Sequence, residues 1–163
     1  MQFTTDSANL YRIETTRQAV VLVMLGGEEL RGNVFIHSSS RRPFELGDVS
    51  ELFNSEELFF PLELDTEEVI LVSKHRVAEV AAARPAETSD ATPAEAHSAT
   101  ALLQVALAGG DVRVGAIRLE VRPDRARVLD YLNRLNTPFL TLYTSNQARL
   151  INRSLIDRVR PLD

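Results

Sequence analysis

The sequence predicts a mainly β protein built from two tandem copies of one small barrel module, the copies packed together as a pseudo-dimer. Three observations predict it. One pattern occurs twice in the 163 residues at a nearly constant spacing. Each occurrence is a series of short apolar segments separated by Gly and polar turns. Between the two lies a stretch with no Leu, Ile, Val or aromatic residue to bury.

The repeat is read directly from the chain. LVSKHRVAEV at 71–80 aligns without gaps with LINRSLIDRV at 150–159, a spacing of 79. The same spacing pairs Val49, Phe53 and Asn54 with Val128, Leu132 and Asn133. Upstream, Gly27-x-x-x-x-Gly32 matches Gly110-x-x-x-x-Gly115, and FFPLEL at 59–64 matches FLTLYT at 139–144 one residue out of step. Order and spacing agree over about 60 residues, which marks a duplicated module. The chain therefore divides into a lead-in (1–18), a first module (19–80), a flexible linker (81–100) and a second module (101–163). Pro85 and Pro93 interrupt any Ala-rich helix in the linker.

Each module is expected to read β-β-α-β-β-β. A first strand (19–25; 102–107) meets a Gly-Gly turn and pairs with a second (29–37; 112–121) as a hairpin. A short helix follows. In GDVSELFN, Asp48 is placed to cap, and Val49, Leu52 and Phe53 share one helical face; in RVLDYLNRLN, Val128, Leu129 and Leu132 do the same. The Asn at the end of each helix, Asn54 and Asn133, suits the left-handed stop position. A second hairpin (58–64 with 69–73; 139–144 with 148–152) turns through DTEE or TSNQ. A last strand (76–80; 155–160) follows a tight corner at Ser73-Lys74-His75 or Asn152-Arg153-Ser154. Five short, bent strands with one helical turn suggest a small barrel.

Such a module is marginal alone. AVVLVML at 19–25 is apolar on both faces, and LLQVALA at 102–108 nearly so. One face lines the module's own core, and the other needs a cover. This predicts that the modules pack on each other, first strand near first strand.

Charge is divided unevenly. Residues 1–80 carry 7 basic and 14 acidic side chains (−7), the linker 1 and 3 (−2), and residues 101–163 carry 10 and 6 (+4), which together give the net −5. An acidic module beside a basic one suggests complementarity between copies or between molecules arranged head to tail. In the basic module Arg118, Arg122, Arg125, Arg127, Arg149 and Arg153 form a candidate surface for an anionic partner, with Arg158 and Arg160 nearby in sequence. Its aromatic residues, Tyr131, Phe139 and Tyr143, read as core rather than as stacking platforms for bases.

Several classes of chemistry are excluded or unsupported. With no Cys there is no disulfide scaffold, thiol nucleophile or zinc ribbon. His37, His75 and His97 have no acidic partner at a metal-ligand spacing, so no metal is expected. No Gly-x-Ser-x-Gly marks a nucleophile, and neither Gly-Gly turn is followed by a phosphate-binding helix. The acidic run Glu63, Asp65, Glu67, Glu68 lacks the spacing and central Gly of a calcium loop. No apolar run reaches the roughly 18 residues of a membrane span, and MQFTTDSANLYR does not read as a secretory signal. The expectation is a cytoplasmic, non-enzymatic protein without cofactor.

The apolar strand followed by Gly27-x-x-x-x-Gly32, and again by Gly110-x-x-x-x-Gly115, resembles the opening of Sm-like and SH3-like small barrels. The Asp-x-x-Met-Asn and Ile-Arg-Gly elements of Sm chains are absent, so the likeness implies the barrel alone. VLDYLN at 128–133, FLTL at 139–142 and NRSLIDRV at 152–159, echoed by VSELFN at 49–54, FFPL at 59–62 and SKHRVAEV at 73–80, are similar to an uncharacterised small bacterial domain family. That likeness spans both copies and implies no activity. Arg41-Arg42 and Asp48-Val49-Ser50 resemble parts of the PilZ-type cyclic-dinucleotide motif, at too short a spacing and without its Gly. The function expected is a protein-interaction or scaffolding module that binds another protein or itself. The alternative is an Sm-like nucleic-acid binder that uses the Arg residues of the second module.

Overall fold

A computed structural model of the chain describes residues 15–37, 46–82, 99–119, 125–144 and 147–162. The first half runs β1 (Thr15–Met24), β2 (Glu29–His37), α1 (Leu46–Asn54), β3 (Phe59–Leu64), β4 (Val69–Ser73), a 3₁₀ turn (Lys74–Arg76) and β5 (Val77–Ala82). The second runs β6 (Ala99–Leu107), β7 (Val112–Leu119), α2 (Arg125–Arg134), β8 (Phe139–Tyr143), β9 (Ala148–Asn152), a 3₁₀ turn (Arg153–Leu155) and β10 (Ile156–Leu162). The protein is mainly β, and both halves follow one element order. Residues 1–14 of the expected lead-in and 83–98 of the expected linker lie outside the described residues, as does His97.

Local chemistry explains the paired elements. Gly27 and Gly110 have φ of 88° and 94°, a region that disfavours any residue with a Cβ. Each turn therefore closes a hairpin, β1 on β2 and β6 on β7. Gly32 and Gly115 serve another purpose. A Cβ on Gly32 would lie 2.4 Å from the Glu63 carbonyl oxygen, and one on Gly115 would lie 2.6 Å from Leu142 Cγ. These glycines let β2 and β7 pass close to β3 and β8, with only a few residues paired at each crossing.

The ten strands form one antiparallel sheet in the order β10-β6-β7-β8-β9-β5-β1-β2-β3-β4. The sheet is not closed, which differs from the expected barrels. The reason is local to β5. One side of β5 pairs with β1, and the other pairs with β9 of the second half through Glu79–Ile151, Val80–Leu150 and Ala81–Arg149. The edge that could have closed the first half is thus taken.

The halves do not meet first strand to first strand. In the sheet β1 and β6 are separated by β5, β9, β8 and β7. The second face of β1 is covered only partly: Val20 and Leu22 are fully buried, while Val21 and Val23 are intermediate. The ends of these two strands do converge on one cavity of about 200 Å³, whose lining includes Met24, Leu25, Ala78, Leu107, Asp111 and Leu155.

Two apolar clusters lie on opposite faces of the sheet at the junction. Val77 and Val80 of β5 join the first cluster, and Ala78 joins the second. Phe139 and Leu150 of the second half enter the first cluster, while their neighbours Leu140 and Ile151 enter the second. Alternation along β8 and β9 sends successive side chains to opposite faces, so these strands are buried on both sides.

The helices end differently from expectation. Asn54 closes α1 outside the left-handed region; Glu67 is the non-Gly residue with positive φ among the described residues. Lys74 supplies the stop instead: its Nζ donates to the Leu52 carbonyl at 2.7 Å and to Ser55 Oγ at 2.7 Å. A cation there also complements the helix dipole. Burial holds the Lys74 ammonium below its usual pKa of 10.5, a shift that Glu57 opposes. Asp48 falls inside α1 rather than before it.

Candidate interaction surfaces

The junction is the most highly organised polar site. Glu79 follows Val77 and Ala78 on an otherwise apolar strand, and its side chain is 1% exposed. Its Oε2 accepts from Arg113 Nε at 2.6 Å, and its Oε1 accepts from Arg149 Nη1. A buried carboxylate is tolerated only with such partners. Both arginines come from the second half, and each is about a quarter exposed. The charge asymmetry of the sequence is thus used inside the molecule. Two Asn side chains add to the join. Phe139 N–H donates to Asn54 Oδ1 at 2.8 Å, and Asn152 Nδ2 donates to the Val77 carbonyl at 2.8 Å. Phe53 packs edge-on against Phe139 with centroids 5.4 Å apart.

The ends of the sheet form a second class of surface. Among the described residues, β4 is hydrogen-bonded to β3 alone and β10 to β6 alone. On the outward face at the β4 end, Phe59 is 56% exposed, Leu71 73% and Val69 50%. The register sets Pro61 opposite Leu71 and Ser73 opposite Phe59, so the exposed residues share one face. The spacings of 80 and 79 align Phe59 and Leu71 with Phe139 and Leu150, which are 2% and 0% exposed. The same side-chain types are therefore buried at the junction and bare at the edge. At the other end, Arg158 and Arg160 of β10 are exposed, and Val159 is half-buried.

The arginines picked out by sequence are dispersed in role. Arg149 is committed to Glu79. Arg118 on β7 lies over the Tyr143 ring, 4.0 Å from its centroid. Arg153 donates to the Leu135 carbonyl from the second 3₁₀ turn. Arg127 is exposed on α2 and Arg125 opens that helix, whereas Arg122 lies outside the described residues. Among the described residues, no group of three or more His, Asp or Glu side chains is placed to hold a metal ion. No helix there is long and apolar enough to cross a membrane.

Sequence reasoning missed the role of Glu79 and the exposed edge. A signal existed for each: a lone carboxylate within VAEVAA, and the isolated apolar strand VILVS. Comparison of the chain with family models, curated proteins and solved structures finds no match.

Proposed function

We propose that this chain is a non-enzymatic protein-interaction or scaffolding module of the cytoplasm, made by tandem duplication of one small Sm- or SH3-like unit, and that it works by offering a sheet edge to a protein partner. The observation that carries the reading is the apolar face at the β4 end, where Val69 and Leu71 on the outermost strand and Phe59 on the adjacent β3 are half or more exposed. Unpaired strand edges recruit another strand unless something guards them. Main-chain hydrogen bonds then supply affinity, and alternate side chains supply selectivity. Apolar residues such as Phe59 and Leu71 are suited to anchor such a contact. The nucleic-acid alternative has less support, because Arg149 already neutralises Glu79 and Arg118 covers a Tyr ring.

The test compares complexes captured from native cytosol by the wild-type chain and by a Phe59→Ser, Leu71→Lys variant. Both positions are exposed, so the substitutions leave the core intact. The reading expects proteins, including untagged copies of the chain, that are retained by wild type and lost with the variant. An identical protein set from both would contradict it. Salt-sensitive capture of RNA by both would favour the arginine surface instead.

A further inference from the structure

We propose that the partner of the β4 edge is a second copy of this chain, docked head to tail so that β10 of one copy pairs with β4 of the next. This rests on the edge-docking reading above and names its occupant.

The junction is asymmetric. β5 pairs with β9, and the spacing of 79 aligns β5 with β10 and β9 with β4. The join is therefore made between different surfaces of the two halves, not between equivalent ones. A contact of that kind uses one surface on each half and leaves the complementary one free. The free pair here is β4 and β10, the two ends of the sheet.

The residues agree with that geometry in detail. Shifting the junction register by 79 carries Val80–Leu150 to Val159–Leu71 and Ala81–Arg149 to Arg160–Ile70. Leu71 is 73% exposed where its counterpart Leu150 is fully buried, and Val159 is half-buried where Val80 is fully buried. The helix contact has an unused counterpart as well. Asn54 accepts the Phe139 N–H, while Asn133, aligned with Asn54, is exposed on α2. Its matching donor in a second copy is the backbone N–H of Phe59. Phe53 is fully buried against Phe139, and the aligned Leu132 is only partly buried.

Charge gives the contact its polarity. The Glu79 triad is not reproduced, since Arg158 stands where Glu79 does and Leu30 and Ile70 stand where Arg113 and Arg149 do. Instead the β10 edge presents Arg160 and Arg158, the latter ion-paired with its neighbour Asp157, and the β3–β4 turn beside the receiving edge presents Glu67 and Glu68. Like edges repel or mismatch, and unlike edges attract.

The experiment follows the mass of the full chain by sedimentation velocity from micromolar to hundreds of micromolar. Three proteins are compared: wild type, Leu71→Lys (β4 blocked), and Arg158→Glu with Arg160→Glu (β10 blocked). Wild type is expected to grow beyond one chain with concentration, and to do so less at high salt. Each blocked variant alone is expected to stay a single chain, while an equimolar mixture of the two forms a 1:1 dimer, because each retains the edge that the other lacks. A wild type that stays a single chain throughout overturns the proposal whatever the variants do. So does a blocked variant that dimerises alone, which would mean pairing of like edges. The two readings fail separately: a monomeric wild type whose captured proteins still depend on Phe59 and Leu71 removes the second copy and leaves the docking edge, whereas capture that is indifferent to Phe59 and Leu71 removes the edge itself.

Discussion

The junction and the free edges are built from aligned residues with opposite fates. At the junction, Phe139 and Leu150 are buried in the core of the first half, and Glu79 is held by two arginines. At the edge, Phe59 and Leu71 stand in solvent and Arg158 replaces the carboxylate. The difference teaches that neighbourhood, rather than residue type, decides whether these side chains stabilise the fold or remain available. A Phe at this position of the module is core when a second sheet edge and a helix cover it; without them it is a docking surface.

The sharpest way to break the comparison is to strand the buried charge. Arg113→Met with Arg149→Met leaves Glu79 unpaired beneath the junction and is expected to cost about 3–5 kcal/mol in urea unfolding. Adding Glu79→Leu to the pair should restore most of that loss, since an apolar replacement of a buried ion group is often neutral. Recovery would separate the penalty of an unpaired charge from a packing defect.

Aligned aromatics offer the next contrast. Phe139→Ala is expected to destabilise by about 3–5 kcal/mol. Phe59→Ala, at an exposed position, should stay within about 0.5 kcal/mol in dilute solution. Equal losses from both would mean that the β4 end is buried, and the distinction between the regions would fail.

A smaller effect is expected from the aligned asparagines. Asn54→Ala removes the acceptor of the Phe139 N–H and should cost about 1 kcal/mol. Asn133→Ala should leave the stability of the dilute chain unchanged to within about 0.5 kcal/mol.

The smallest effect is a dependence on pH. Burial lowers the pKa of Lys74 below 10.5, so between its folded value and 10.5 the unfolded chain binds more protons than the folded one. Stability therefore rises with pH across that window and is level below it. Relative to Lys74→Met, the wild type should gain stability as the solution becomes alkaline; a constant difference between the two would contradict the assignment.

Much of the element order was legible because the signals were local. Gly27 and Gly110 mark hairpins through a backbone angle that few other residues adopt, and β2, β4 and β9 occupy the ranges that the apolar segments between polar turns imply. The join between halves was not legible. A two-sided apolar strand says that a cover exists but not which strand supplies it, and β1 was the wrong guide. The covered strands are β5 and β9, where Val80 faces Leu150 and Glu79 faces Ile151. Glu79 itself reads as one more acid in an acidic half until the fold brings two arginines of the other half to it. The arginine surface shows the same limit: sequence groups Arg118, Arg149 and Arg153, but pairing sends them to a Tyr ring, a carboxylate and a backbone carbonyl.

Amide hydrogen exchange at low and high protein concentration tests the contrast most directly. At low concentration, β5 and β9 (77–82 and 148–152) should be strongly protected, and the outward amides of β4 and β10 (69–73 and 156–162) should exchange freely. Raising the concentration should slow exchange at β4 and β10 and leave β5 and β9 unchanged. Free exchange of β5 and β9 in the dilute chain, or edges whose exchange is indifferent to concentration, would contradict the account.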